Sequence, residues 1–248
     1  MILRFDDEAL PDNHINLFHF IRDGKIEEIK KMIDTDPITC KAYVDDDQRT
    51  LLHCACELQN YSLVEKVLQI CDNKNPVDEM LFTPLLVSVA GASMNNELDE
   101  SYKIIQYLIE HGADITLSNK RKANVYHFAC SRGRKDLVEL FLSKWKEGAS
   151  SRDKYGNTPL HRAVASGNIE CTKLIAKKTH TIIAQNSMKK TPLHIACEEQ
   201  NIPMIKTVID LGGDADIVDE DGKFPFEFIN DRTAFKEVCE YYKASKKH

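Results

Sequence analysis

A single tryptophan in 248 residues, no uninterrupted apolar run near the ~20 residues of a bilayer span, and no Cys-x-x-Cys pair set the first limits on this chain. Arg4, Asp6, Asp7 and Glu8 break up what would have to be the apolar stretch of an export signal, so the expected location is the cytoplasm, extending to the nucleus. No glycine-rich phosphate loop and no Gly-x-Ser-x-Gly elbow occurs, which leaves a nucleotide-driven or serine-hydrolase chemistry without its usual scaffold. The net charge of −6 argues against a nucleic-acid footprint over the chain as a whole. The acidic run from Asp214 to Gly222 does not make a calcium loop. Aligning Gly222 with the loop's invariant glycine puts Ile217 at the first ligand position and Phe228 at the last.

What is present is a repeat. Thr158-Pro159-Leu160-His161 returns as Thr191-Pro192-Leu193-His194, 33 residues on. The same frame finds segments starting at 16, 50, 83, 124 and 224, at intervals of 33 or 34 residues apart from one of 41. Threonine caps a helix through its hydroxyl, proline at the first helical position forfeits no hydrogen bond, and the leucine that follows turns toward a core. Each motif therefore starts a short inner helix. A glycine or polar turn and a second apolar period follow, giving an outer helix, and segments such as Glu110 to Asp114 and Leu211 to Asp216 stop that helix with glycine in the left-handed region. A period of 33 with T-P-L-H-x-A resembles the ankyrin repeat. The resemblance implies an all-α solenoid with short β-hairpin turns: seven repeats in one domain over 1–248, with an 8-residue insertion near 93–100.

The repeat frame also explains the residues that invite a chemical reading. Cys56, Cys130 and Cys197 stand six residues after their motif starts, where Val89 and Val164 stand elsewhere, so they are expected to be core residues. His53, His127, His161 and His194 share the fourth motif position, with His19 in the first unit, and are expected to be structural. No metal, cofactor or catalytic residue is expected. What remains is a binding surface, and the tips of the inter-repeat turns are sorted by sign. Asp45, Asp46 and Asp47 with Arg49, then Asp78 and Glu79, make two acidic tips. Lys120, Arg121 and Lys122, a weakly basic tip, and Lys189 with Lys190 follow, and the last tip is acidic again. Such a face suits a partner with basic groups opposite repeats 2–3 and acidic groups opposite repeats 4–6. Phe82 and Tyr155 are candidate aromatic anchors in the tips, whereas Trp145, at an outer-helix end, is expected to pack.

Beyond the general repeat, the chain resembles the gankyrin family of ankyrin-repeat chaperones of the proteasome regulatory particle. The likeness is carried by Gly24 to Lys30, by Arg49-Thr50 with Leu52-His53 and Ala55-Cys56, by Asp153 with Tyr155, by His161-Arg162-Ala163, by Gly167-Asn168, and by His194 through Glu199. It implies a non-enzymatic protein that holds the C-terminal domain of a proteasomal ATPase subunit along its concave face during assembly, binding neither nucleic acid nor membrane. It implies contact residues at Asp47, Arg49, Glu79, Arg132, Arg134, Asp153, Tyr155 and Arg162, with Phe82 and Cys54 standing where the family has tryptophans. It also places Ile195 to Glu199 where the family has an L-x-C-x-E element. That segment is expected to be helical with Cys197 in the core, which does not suit an extended linear motif. The competing expectation is an ankyrin-type inhibitor or adaptor of a cell-cycle kinase or transcription factor. A solenoid with capped ends needs no self-association, so a monomer is expected.

Overall fold

The computed structural model describes residues 12–94 and 99–246. Its helices pair in chain order: α1 (Asp12–Arg22) with α2 (Ile26–Thr35), followed by a short α3 (Pro37–Ala42); α4 (Leu51–Glu57) with α5 (Tyr61–Ile70); and α6 (Pro84–Gly91) with α7 (Glu100–Glu110). Then come α8 (Val125–Ser131) with α9 (Lys135–Lys144), α10 (Pro159–Ala165) with α11 (Ile169–Lys178), and α12 (Pro192–Glu198) with α13 (Ile202–Asp210). A 3-10 turn at Pro225–Phe228 stands in for the last inner helix and pairs with α14 (Arg232–Ser245). The inner helices α4, α6, α8, α10 and α12 stack on one another, and the outer helices stack behind them from α2 to α14. This is an all-α ankyrin-type solenoid. Among the described residues the only β pairing is one isolated bridge, Val44 to Thr50, so the hairpins between repeats are tight turns rather than strands.

The motif chemistry acts as the sequence indicates. Thr83 caps α6 by accepting from the Leu86 N–H, and Asn124 does the same for α8 through Tyr126 and His127. The outer helices α5, α7, α11, α13 and α14 start on Asn60, Asp99, Asn168, Asn201 and Asp231, each side chain accepting a backbone N–H of the first turn. Between them lies one continuous core in which Cys56, Val89, Cys130, Val164 and Cys197 occupy a single buried row. Burial pushes the Cys56 thiol up to about 12, so it packs as an apolar group rather than as a thiolate. Trp145 packs as expected: its carbonyl accepts the Tyr126 hydroxyl at 2.6 Å, and a side chain at Gly148 would collide with its ring.

Two departures matter. His19 is exposed, unlike the other motif histidines, because it lies in the last turn of α1 rather than in the first turn of a helix. The insertion falls between α6 and α7, with residues 95–98 outside the described set, and its flanks Ser93 and Asp99 meet at one side chain, that of Arg134.

Candidate functional site

The face that could meet a partner is built on six turns, each governed by an Asp or Asn. Asp45, Asp78, Asn119, Asp153, Asn186 and Asp219 each accept two backbone N–H groups through Oδ1, from the residues two and four positions on. This Asx turn fixes the tip. The residue three positions after each is left-handed: Gln48, Leu81, Lys122, Gly156, Lys189 and Gly222. Neighbouring tips are then laced together. The Glu79, Lys120, Lys154, Ser187 and Glu220 N–H groups donate to the carbonyls of Asp47, Met80, Arg121, Tyr155 and Met188 at 2.7–3.0 Å. The result is a comb of tips held in register by backbone bonds.

Beneath the comb the motif histidines lock each tip to the previous repeat. In His53, His161 and His194, Nδ1 accepts the backbone N–H of the capping threonine at 3.1–3.2 Å, so the proton sits on Nε2. That Nε2–H donates to the carbonyls of Phe82, Lys190 and Lys223 at 3.0–3.2 Å, and His127 reaches Asn157 in the same way. Burial lowers the pKa of all four rings, that of His161 to about 4, against a smaller opposing effect of the carbonyl each one faces. They are neutral structural groups.

The residues singled out from the sequence divide by burial. Asp47 and Glu79 are exposed on the first two tips, and Tyr155 is 49% exposed on the fourth. Arg49 is half-buried, bridging Asp45 and Glu57 at 2.8 Å each, and Arg132 is half-buried at the end of α8. Phe82 packs against Phe128, ring centroids 5.4 Å apart, at the inner edge of its tip. Two residues are not available as the family likeness implies. Arg134 is wholly buried, its guanidinium held by Asp136 at 2.7 Å and Asp99 at 3.1 Å, because it ties α9 to the insertion. Asp153 is buried because its carboxylate makes the turn and accepts Arg162; burial pushes its pKa up, but Arg162 and the Asn157 and Tyr155 N–H groups outweigh that and hold it low. Arg162 thus reaches the surface already paired. The Ile195 to Glu199 segment lies in α12 and its C-cap, with Cys197 fully buried, so the L-x-C-x-E likeness has no extended strand to offer.

Met80 and Met188, both exposed on tips, carry no charge or ring to mark them in the sequence, and Phe228 acquires a role only in the fold, where its ring lies 5.1 Å from the Lys190 ammonium and 5.6 Å from that of Lys223. The recurring Asp or Asn would have located the methionines, each of which stands two residues after it. Among the described residues no three His, Cys, Asp or Glu side chains are grouped to hold a metal ion, and no helix is long and apolar enough to cross a membrane.

A family profile described as ankyrin repeats (3 copies) matches residues 89–186 and 127–221, together more than half of the chain. The human transient receptor potential cation channel subfamily A member 1 is 29% identical over 213 residues, 82% of this chain but 18% of the channel. A probable 26S proteasome regulatory subunit p28 of Saccharomyces cerevisiae is 28% identical over 138 residues, covering 55% of this chain and 57% of that protein. The chain therefore spans less than two thirds of either relative. The crystal structure of the human ASB11 ankyrin repeat domain superposes with a TM-score of 0.78 at 19% identity, over 94% of this chain and 98% of that one.

Proposed function

This chain belongs to the ankyrin-repeat family, whose repeats mediate protein–protein binding, and on that premise we propose that it is a non-enzymatic chaperone holding the C-terminal domain of a proteasomal regulatory ATPase. The observation that carries the proteasomal assignment is the likeness to the p28 subunit, which extends over 55% of the chain. The electrostatics support it: exposed Asp46, Asp47 and Glu79 stand on tips 1 and 2, and exposed Lys120, Arg121, Lys122, Lys154 and Lys189 on tips 3 to 5. A partner of opposite pattern docks in one orientation only, because the reverse orientation sets like charges against each other. An interface of about 1,200–2,000 Å² in total is enough for a specific complex of this kind.

Native electrophoresis of cell extract tests the assignment. The expected result is co-migration of this protein with regulatory ATPase subunits; migration with a kinase or transcription factor instead would contradict it. Reversing Asp47 and Glu79 to Lys is expected to slow association with the ATPase domain about tenfold at low salt, with little change in dissociation. An unchanged association rate would remove the charge-steering part of the proposal.

A further inference from the structure

The tips carry more than charge. At the position two residues after each governing Asp or Asn, the comb presents Asp47, Met80, Arg121, Tyr155, Met188 and Asp221 in order. Acids stand at the two ends. Between them are three large apolar side chains with exposures of 43%, 49% and 46% for Met80, Tyr155 and Met188. Lys120, Arg121, Lys122, Lys154 and Lys189 lie among them, all exposed and none in an ion pair among the described residues. Since each tip is bonded to the next through its backbone, these side chains are presented on a rigid row and do not have to be ordered when a ligand arrives.

We infer that this crest, rather than the inner helices beneath it, is the docking ridge for an acidic amphipathic helix of a protein partner. The inference rests on the protein-binding reading above and narrows it to a ligand chemistry. Packed helices lie about 8–10 Å apart, so the row from Met80 to Met188 spans roughly 30 Å, the length of about 20 helical residues. A helix with one apolar stripe meets Met80, Tyr155 and Met188, and carboxylates flanking that stripe meet the five unpaired cations. A polyphosphate suits the ridge less well. The apolar side chains of Met80, Tyr155 and Met188 give it nothing to pack against.

The test uses the full-length protein, isotopically labelled, and a helical peptide of about 20 residues with leucine at every third or fourth position and glutamate elsewhere. Titration is expected to shift the amides of residues 79–81, 120–122, 154–156 and 187–189 saturably. Changing the glutamates to glutamines, or making the triple variant M80S/Y155S/M188S, is expected to weaken binding by about fivefold or more. All three variant positions are exposed, and an unchanged unfolding midpoint confirms that the variant is folded. No saturable shift up to about 1 mM peptide overturns the inference. So do shifts confined to the inner helices, or tighter binding of oligouridylate or phosphatidylserine vesicles to the same tips. The outcomes separate this inference from the proteasomal assignment. Peptide binding without binding to any ATPase domain keeps the ridge and ends the assignment; ATPase-domain binding that is unaltered in the triple variant does the reverse.

Discussion

The junction between the third and fourth repeats differs from those around it. Elsewhere, from the second repeat onward, a neutral histidine in one inner helix donates to the carbonyl that ends the next tip. In the third repeat Leu86 occupies that position and has no proton to donate. On the opposite side of the same junction, Arg134 of the fourth repeat holds Asp99 and the Ser93 carbonyl of the third, with Asp136 alongside. A neutral hydrogen bond has thus been exchanged for a buried ion cluster where the connection from an inner helix to its own outer helix is longest. Nearest-neighbour interfaces set the cooperativity of a repeat array, so the two kinds of tie should fail in different ways.

The largest effect is expected from R134A. Removing the cation from a buried cluster leaves the negative charges of Asp99 and Asp136 unbalanced, which costs about 3–5 kcal/mol. Because the loss falls on one junction, urea unfolding should separate into two transitions, with hydrogen exchange dividing repeats 1–3 from repeats 4–7. A single transition at the wild-type midpoint would show that Arg134 does not bind the two halves.

Acid should act on the other junctions. Burial lowers the histidine pKa values, so the unfolded chain takes up protons that the folded chain refuses; this part of the stability is complete above about 6.5 and drains as the pH falls toward the folded values. For His161, with a folded pKa of about 4, the loss between pH 6.5 and 5 comes to about 1.5 kcal/mol. Denaturant unfolding across that range should show stability falling with pH, and H161Q should flatten the slope by one histidine's share. A flat profile would contradict the neutral-histidine tie.

A smaller gain is available on the comb. Leu81 sits at φ 58°, where tips 4 and 6 have Gly156 and Gly222. L81G should relieve that strain and raise stability by about 0.5–1 kcal/mol after the entropy cost of glycine, read as a higher unfolding midpoint. A fall instead would mean that the Leu81 side chain makes contacts worth more than the strain.

Much of this architecture was legible because capping chemistry repeats with the chain. Thr, Pro and His recur at fixed offsets since each helix start needs the same donors satisfied, and Cys56, Cys130 and Cys197 follow the same frame. The candidate binding face was legible in its charge but not in its burial. Arg134 reads as a surface arginine until Asp99, 35 residues earlier, is brought beside it. Asp153 reads as a contact residue until its turn consumes the carboxylate. Met80 and Met188 carry no charge and no aromatic ring, so they emerge only when the Asp and Asn residues that set the tips are aligned. Leu81, Lys122 and Lys189 hide the left-handed position because glycine marks it in only two of the six tips.

The most direct measurement is binding of the purified protein to a panel of proteasomal ATPase C-terminal domains at low and at physiological salt. The account predicts selective binding to one domain, weakened as salt screens the opposed charges of tips 1–2 and 3–5. Absence of binding to every domain, or binding to all of them alike and without salt dependence, would contradict it.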